Sequence, residues 1–172
     1  VRPAAASDVY RGQLMVGPSL MNHLAEGLIT FRLHQVVLLA DSQKAFLQIE
    51  VAEEDRDRLR FLWYDQDGNL EVYRFTRVPF GAGPSPFLLN ATLKHHLESV
   101  VKDQSLLLLF LRSLYVDDVL TGGESVEFAL KLKEMLIEIM GEAAMELHGW
   151  NSNKLEVREK LTDVEQSDES VV

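Results

Sequence analysis

The sequence predicts one α+β domain in which helices pack on a face of a sheet. With 172 residues, of which 47% are hydrophobic, the chain has the length and composition of a single globular domain. Helical and strand-like patterns follow one another in the order helix, strand, hairpin, helix, strand–turn–strand, helix. Strands that are separated by helices are typical of a sheet with helices on one face.

The first half of the chain predicts one helix, one strand and one hairpin. Apolar residues at helical spacing predict an amphipathic helix: Leu20, Leu24, Leu28 and Phe31. The apolar run Val36–Ala40, which ends at Asp41, predicts a buried strand whose last residue emerges from the core. Leu59–Tyr64 and Leu70–Arg77 predict two strands, because the sequence Asp-Gln-Asp-Gly-Asn between them is a strong hairpin signal.

The second half predicts two amphipathic helices on either side of a strand–turn–strand unit. Ser85-Pro86 is typical of a helix start, with the serine as N-cap. The apolar face of that helix consists of Leu89, Leu93, Leu97 and Val100. The second helix is predicted to end at Gly141, and its apolar face consists of Phe128, Ala129, Leu132, Met135, Leu136, Ile139 and Met140. Between the helices, the apolar run Leu106–Leu111 predicts a strand that leads to the turn Tyr115–Asp118.

Two adjacent carboxylates stand at that turn, Asp117 and Asp118. An ionised carboxylate beside a core carries a large desolvation cost unless a partner offsets it. A divalent cation is a natural partner, and hard oxygen ligands suit magnesium. A pair that only caps a hairpin turn is the alternative interpretation. If the sheet also brings Asp41 to this point, three like charges would repel one another unless cations bind.

Composition and charge limit the other function classes. The formal net charge of −10 argues against nucleic acid as a partner, because phosphate binding normally leaves a basic footprint. No apolar run is long enough for a membrane span, and no secretory signal opens the chain. The absence of cysteine fits a reducing compartment, so we expect an intracellular, cytoplasmic protein without a membrane partner. Because the first residue is Val1, we expect a fragment of a polyprotein.

The C-terminal end of the sequence differs in composition from the rest of the chain. Residues 162–172 contain four acidic residues and no basic one, and they predict a disordered or solvated tail. The predicted domain therefore comprises residues 1–161. Nothing in the sequence indicates the oligomeric state.

Four blocks together resemble the fingers–palm part of a reverse transcriptase, most closely those of BEL/Pao-type long-terminal-repeat retrotransposons. The blocks are Leu38–Trp63, Arg77–Leu97, Tyr115–Asp118 with the sequence YVDD, and Met145–Asn153 with the sequence MELHGWNSN. The resemblance covers roughly residues 17–157. It implies a polymerase palm, an antiparallel sheet packed on helices, with a truncated fingers region.

The resemblance implies a catalytic metal site. Asp41, Asp117 and Asp118 would be the catalytic carboxylates and would bind two magnesium ions, for which manganese could substitute. The backbone carbonyl of Ser42 would assist in binding the metal.

It also implies residues that contact the substrates. Phe46 would lie against the sugar and exclude a ribose 2′-hydroxyl, which favours deoxynucleotides. Phe80 and Gly81 would lie near the incoming nucleotide and the template base. Tyr115 would lie near the primer end, and Lys154 near the leaving phosphate.

The implied function is RNA-directed DNA polymerase, which transfers a nucleotide from a dNTP to a primer 3′-hydroxyl on an RNA or DNA template by two-metal chemistry. The alternative is a non-catalytic remnant of a retroelement that serves as a protein-interaction module. An RNA-templated RNA polymerase is a third interpretation. We expect the isolated fragment to polymerise weakly at most.

Overall fold

The computed structural model describes residues 14–160 and confirms the mixed α+β class. Within this part the chain forms two compact units. The first unit contains residues 14–20 and 44–92, and the second contains residues 21–43 and 93–160. The predicted acidic tail, 162–172, lies outside the described residues, so the boundary at residue 161 stays a prediction.

The elements follow in chain order. The helices are α1 (Leu24–Leu33), α2 (Ala45–Gln48), a 3₁₀ helix (Glu53–Leu59), α3 (Ser85–Val100), α4 (Gln104–Ser113) and α5 (Val126–Glu142). The strands are β1 (Val36–Ser42), β2 (Arg60–Tyr64), β3 (Leu70–Arg74), β4 (Leu114–Tyr115), β5 (Asp118–Gly123) and β6 (Leu147–Ser152). Residues 155–160 are also helical. None of the described helices combines the length and the apolar composition that crossing a lipid bilayer requires.

The second unit is built on a four-stranded antiparallel sheet with the strand order β4-β5-β1-β6. Burial alternates along β1, with Val36, Leu38, Ala40 and Ser42 buried. The intervening residues Val37, Leu39 and Asp41 are not buried, so the strand is covered on one face only, whereas its continuous apolar run had predicted a buried strand. This alternation places Asp41 on the open face of the sheet.

Helices α4 and α5 cover the buried face. Helix α5 contacts β1, β5 and β6, and α4 contacts β5. Ser125 caps α5 by accepting a hydrogen bond from the amide of Phe128 at 3.2 Å. The predicted face of α5 is largely confirmed, since Ala129, Leu132, Leu136 and Met140 are buried. Phe128, in the first turn of the helix, is nevertheless 48% exposed.

The apolar run Leu106–Leu111 is helical, and the prediction of a strand there was wrong. The Asp103 carboxylate accepts a hydrogen bond from the amide of Leu106 at 2.8 Å and so starts α4. Leu107 and Phe110, three residues apart, are buried, which is helical spacing. A short apolar run fits a buried helix and a buried strand equally well, so the capping aspartate was the informative signal.

Helix α5 ends differently from the prediction. Gly141 lies inside the helix, and Ala144 adopts the left-handed conformation with φ of 55°. The amide of Ala144 donates to the carbonyl of Gly141, and the amide of Met145 donates to the carbonyl of Met140, both at 2.9 Å. These bonds satisfy the last carbonyls of the helix, so an alanine takes the place that glycine usually has.

Two helix starts also differ from the sequence prediction. Helix α1 begins at Leu24, later than the pattern indicated, and none of its residues is buried. Ser85 is the first residue of α3, and its hydroxyl donates to the carbonyl of Pro79 at 2.7 Å, so it does not act as an N-cap. The predicted face of α3 is largely confirmed, since Leu89, Leu93 and Leu97 are buried, whereas Val100 is only partly buried.

The first unit contains the predicted hairpin, formed by β2 and β3. On one face Phe61 stacks on Tyr73 and lies against Phe75, with ring centroids 5.7 Å and 4.6 Å apart. On the other face, four apolar side chains are each more than half exposed: Leu62, Tyr64, Leu70 and Val72. At the base of the hairpin Arg60 and Arg74 both contact the Asp57 carboxylate.

Gly122 packs so closely in β5 that a methyl group has no space there. A Cβ at this position would overlap the carbonyl oxygen of Val36 and would lie 2.9 Å from the Cβ of His34. We expect Gly122→Ala to lower the free energy of unfolding by about 1–3 kcal/mol, because backbone atoms would have to move. Urea denaturation measures this change.

Gly141→Ala is the matched control. A Cβ at Gly141 would meet nothing within 4 Å, and the residue is helical. Alanine there should stabilise the protein by up to about 1 kcal/mol. Equal effects of the two substitutions would contradict the close packing at Gly122.

Candidate active site

Asp41 is the penultimate residue of β1 and lies on the open face of the sheet. Its Cα partner across the ladder in β5 is Asp118, and its partner on the other side in β6 is His148. The Asp41 side chain is 50% exposed. The strand therefore presents this carboxylate to solvent, although the next residue, Ser42, is buried.

The turn between β4 and β5 carries the other two carboxylates. Tyr115 pairs with Asp118, so Val116 and Asp117 form a tight connection. Val116 has a φ of 57°, a conformation that costs a β-branched residue of the order of 1–3 kcal/mol. The amide of Ser42 donates to the carbonyl of Asp117 at 2.8 Å, which ties the turn to the end of β1.

The structure thus brings Asp41, Asp117 and Asp118 together, although they are far apart in sequence. Burial is the main cause that raises the pKa of the Asp118 carboxyl above its ordinary value. The negative charges of Asp117 and Asp41 raise the pKa further. Asp117 and Asp41 are therefore each close enough to Asp118 to repel its ionised carboxylate.

One further side chain contacts this group, and sequence reasoning missed it. The Nε2 atom of His148 lies 3.3 Å from Oδ1 of Asp41, and both side chains are about half exposed. His148 belongs to the block MELHGWNSN, but nothing in that pattern distinguishes it from its neighbours. Only the pairing of β6 with β1 shows that His148 lies beside Asp41.

The three carboxylates have the chemistry that a divalent cation needs, and the backbones of the three aspartates lie next to one another. Three carboxylates supply the hard oxygen ligands that magnesium and manganese prefer. As the side chains lie, no three or more histidine, aspartate or glutamate residues within 14–160 are arranged to hold a metal ion. Side-chain torsions would therefore have to change before the three aspartates share an ion.

Three other predicted site residues lie in the same unit. Ser42 ends β1, and its hydroxyl lies 3.9 Å from the sulfur of Met145, so the side chain faces the core. Tyr115 belongs to β4 and is partly buried beside Asp118 in the ladder. Lys154 is exposed and follows the end of β6 by two residues.

The remaining predicted residues, Phe46, Phe80 and Gly81, lie in the first unit. The rings of Phe46 and Phe80 meet edge to face, with centroids 4.9 Å apart. Phe46 is 7% exposed, whereas Phe80 is 56% exposed. Gly81 has a φ of 79°, which a glycine adopts without strain, and it follows Phe80 in a turn.

The raised pKa of Asp118 makes a prediction about stability. Folding disfavours the ionised form of Asp118. The contribution of Asp118 to stability is therefore present at low pH and is lost as the pH rises through the pKa that this residue has in the folded protein. In protein freed of metal by a chelator, we expect Asp118→Asn to raise the free energy of unfolding at about pH 7. At about pH 3 the difference in stability between the variant and the parent protein should vanish, because residue 118 is then neutral in both.

Asp57→Asn provides a control of opposite sign. Hydrogen bonds from Arg60 and Arg74 lower the pKa of Asp57, so its ionised form is favoured by folding. That variant should be less stable than the parent protein at about pH 7 and should approach it at low pH. If Asp118→Asn also destabilised the protein at neutral pH, the raised pKa of Asp118 would be refuted.

Comparison with known proteins gives the family. The model of the family "Reverse transcriptase (RNA-dependent DNA polymerase)" matches residues 15–160. A comparison with curated proteins finds no match.

Two solved structures are similar to this chain. The protease–reverse transcriptase of prototype foamy virus, as a CSH mutant, has a TM-score of 0.61 and 20% sequence identity. That similarity covers 80% of this chain and 17% of the viral chain, and it shows the same fold. A foamy viral protease–reverse transcriptase in complex with an RNA/DNA hybrid has 26% identity and a TM-score of 0.48, with coverage of 63% and 13%.

The family model spans nearly all the described residues, and the fold is that of a reverse transcriptase polymerase domain. The chain belongs to the reverse transcriptase (RNA-dependent DNA polymerase) family.

Proposed function

We propose that this chain carries the catalytic carboxylates of an RNA-directed DNA polymerase. The reaction joins the primer 3′ oxygen to the α-phosphorus of a dNTP, breaks the bond between the α-phosphorus and the bridging oxygen, and releases pyrophosphate. The observation that carries the proposal is the meeting of Asp41 with the turn that contains Asp117 and Asp118. Membership in the family supports the use of an RNA template and a primer.

In this proposal Asp41, Asp117 and Asp118 hold two divalent cations, magnesium or manganese. Bound cations lower the pKa of the primer hydroxyl and neutralise the charge on the leaving pyrophosphate. The repulsion that Asp117 and Asp41 exert on Asp118 supports this role, because a cation would relieve it. Such reactions depend on positioning and charge stabilisation, so no protein nucleophile is needed.

Three neighbours in the second unit take supporting roles. The backbone carbonyl of Ser42 assists the metal ligands, and the buried side chain of this residue keeps the end of β1 in place. Tyr115 contacts the primer end, which fits its position beside Asp118. Lys154, which is exposed, contacts the leaving phosphate.

In the first unit, Phe46 selects deoxynucleotides by excluding the ribose 2′-hydroxyl. Its contact with Phe80 supports this role, because a ring that packs against a neighbouring ring cannot easily move to make space for a 2′-hydroxyl. Phe80 and Gly81 contact the incoming nucleotide and the template base. The exposure of Phe80 leaves a ring face for such a contact.

The proposal extends to the origin of the chain. The four sequence blocks favour a BEL/Pao-type retrotransposon and a place within a longer polyprotein. The chain spans 17% of the length of the foamy virus chain that it resembles. Its proposed partners are a template, a primer and dNTPs. A cytoplasmic location stays a prediction from the sequence.

One observation favours a second candidate, a non-catalytic remnant that binds other proteins. The net charge of −10 opposes the approach of a polyanionic template and primer. This candidate predicts a folded protein without polymerase activity.

A primer-extension assay separates the two candidates. With poly(rA)·oligo(dT), dTTP and magnesium, we expect weak but measurable incorporation by the chain. Asp117→Ala/Asp118→Ala should reduce it about a thousandfold or more, because several kcal/mol of charge stabilisation are lost.

Asp57→Asn, on an exposed carboxylate in the first unit, serves as the control and should retain incorporation. Incorporation that survives the double substitution would remove the proposed mechanism. A complete lack of incorporation by the parent chain, under conditions where it is folded, would favour the non-catalytic remnant.

The proposed role of Phe46 makes its own prediction. Phe46→Val leaves space beside the sugar, so we expect the preference for dTTP over UTP to fall about tenfold or more. Phe46→Tyr retains the ring and should retain the preference. The ratio of kcat/KM for the two nucleotides measures the effect, and a parent chain that already prefers UTP would indicate an RNA polymerase instead.

A further inference from the structure

The contact between His148 and Asp41 results from an irregularity in the pairing of β1 with β6. Leu39 pairs with Asn151, whereas Asp41 pairs with His148. Two steps along β1 thus correspond to three steps along β6, which defines a β-bulge. In an uninterrupted ladder, Gly149 would stand opposite Asp41, and it has no side chain with which to contact the carboxylate.

The bulge also changes the face to which His148 belongs. Trp150 and Ser152 are buried, and strict alternation would place His148 on the same buried face. His148 is instead exposed and reaches Asp41 on the open face. Gly149 supplies the extra residue, and its φ of 63° is a conformation that a glycine adopts at low cost.

We propose that His148 is a positioning residue for the Asp41 carboxylate. Its Nε2 atom lies 3.3 Å from Oδ1, which leaves Oδ2 for a cation. This inference rests on the proposed function, since it assigns to His148 the role of orienting Asp41, which is a proposed metal ligand. Groups that contact a ligating carboxylate typically change metal affinity by about 10- to 100-fold when they are removed.

A surface contact without a role in metal binding is the simpler explanation of the same geometry. Such contacts contribute little to stability, and here both side chains are about half exposed. The two explanations differ in what they predict for metal affinity. A surface contact leaves the affinity unchanged, whereas a positioning residue changes it without a matching change in stability.

Direct titration with Mn²⁺, followed by electron paramagnetic resonance, makes the distinction without any polymerase assay. For His148→Leu we expect the Kd for Mn²⁺ to rise about 10- to 100-fold. His148→Gln retains a nitrogen donor and should bind Mn²⁺ within about threefold of the parent protein. His95→Leu, which removes an exposed histidine from α3, is the matched control and should not change the Kd.

Gly149→Ala tests the bulge. A Cβ at this position would meet nothing within 4 Å, so only the backbone conformation resists the substitution. A weaker affinity for Mn²⁺ in this variant would support the view that the bulge positions His148. If His148→Leu does not fold, as judged by its thermal transition, His148→Met takes its place in the same comparison.

The outcomes separate this inference from the proposed function. If His148→Leu binds Mn²⁺ as tightly as the parent protein while Asp118→Asn loses binding, His148 does not position Asp41, and the metal site stands. If His148→Gln weakens binding as much as His148→Leu, a donor nitrogen is not what matters, and the inference is also overturned. If Asp118→Asn binds Mn²⁺ normally, the proposed function itself fails.

Discussion

The antiparallel ladders on the two sides of β1 are the constraint on which the candidate site depends. One ladder sets Asp118 opposite Asp41, and the other sets His148 opposite Asp41. A slip of one residue in either ladder would move the side chains to the other face of the sheet, so the register decides which groups meet. The buried side chains of β1, of which Leu38 and Ala40 are almost fully buried, hold this register by packing under α5.

The same constraint explains how an unfavourable group of charges persists. Asp117 and Asp118 follow a valine in a left-handed conformation, and Asp118 lies where its pKa is raised. Each feature costs stability at neutral pH, and the surrounding ladder and helices offset that cost. The strain at Val116 and the raised pKa of Asp118 thus fall at the same turn of the sheet.

Much of the fold was predictable, because most elements are encoded by local patterns. The hairpin, helix α3 and helix α5 all followed from spacing and turn chemistry. The prediction of a strand at Leu106–Leu111 was wrong because a short apolar segment suits two kinds of element, and only the capping Asp103 distinguishes them. The end of α5 was misplaced because Ala144 adopts a conformation that its residue type does not indicate.

The candidate site was predictable only in part, for a different reason. Asp41, Asp117 and Asp118 were identifiable from their blocks and from their place at the ends of apolar runs. The part played by His148 depends on a bulge in pairing between segments that are more than a hundred residues apart, and no local pattern encodes it. Sequence patterns specify which elements form, whereas the contacts across strands depend on how those elements pair.

The open face of the hairpin β2–β3 has a consequence for handling the protein. Leu62, Tyr64, Leu70 and Val72 form an apolar surface on a two-stranded ribbon, which is the kind of surface through which chains aggregate. The net charge of −10 counteracts this tendency by electrostatic repulsion between molecules. Colloidal solubility therefore depends on the ionised carboxylates, and acid or concentrated salt would promote precipitation while the fold is still intact.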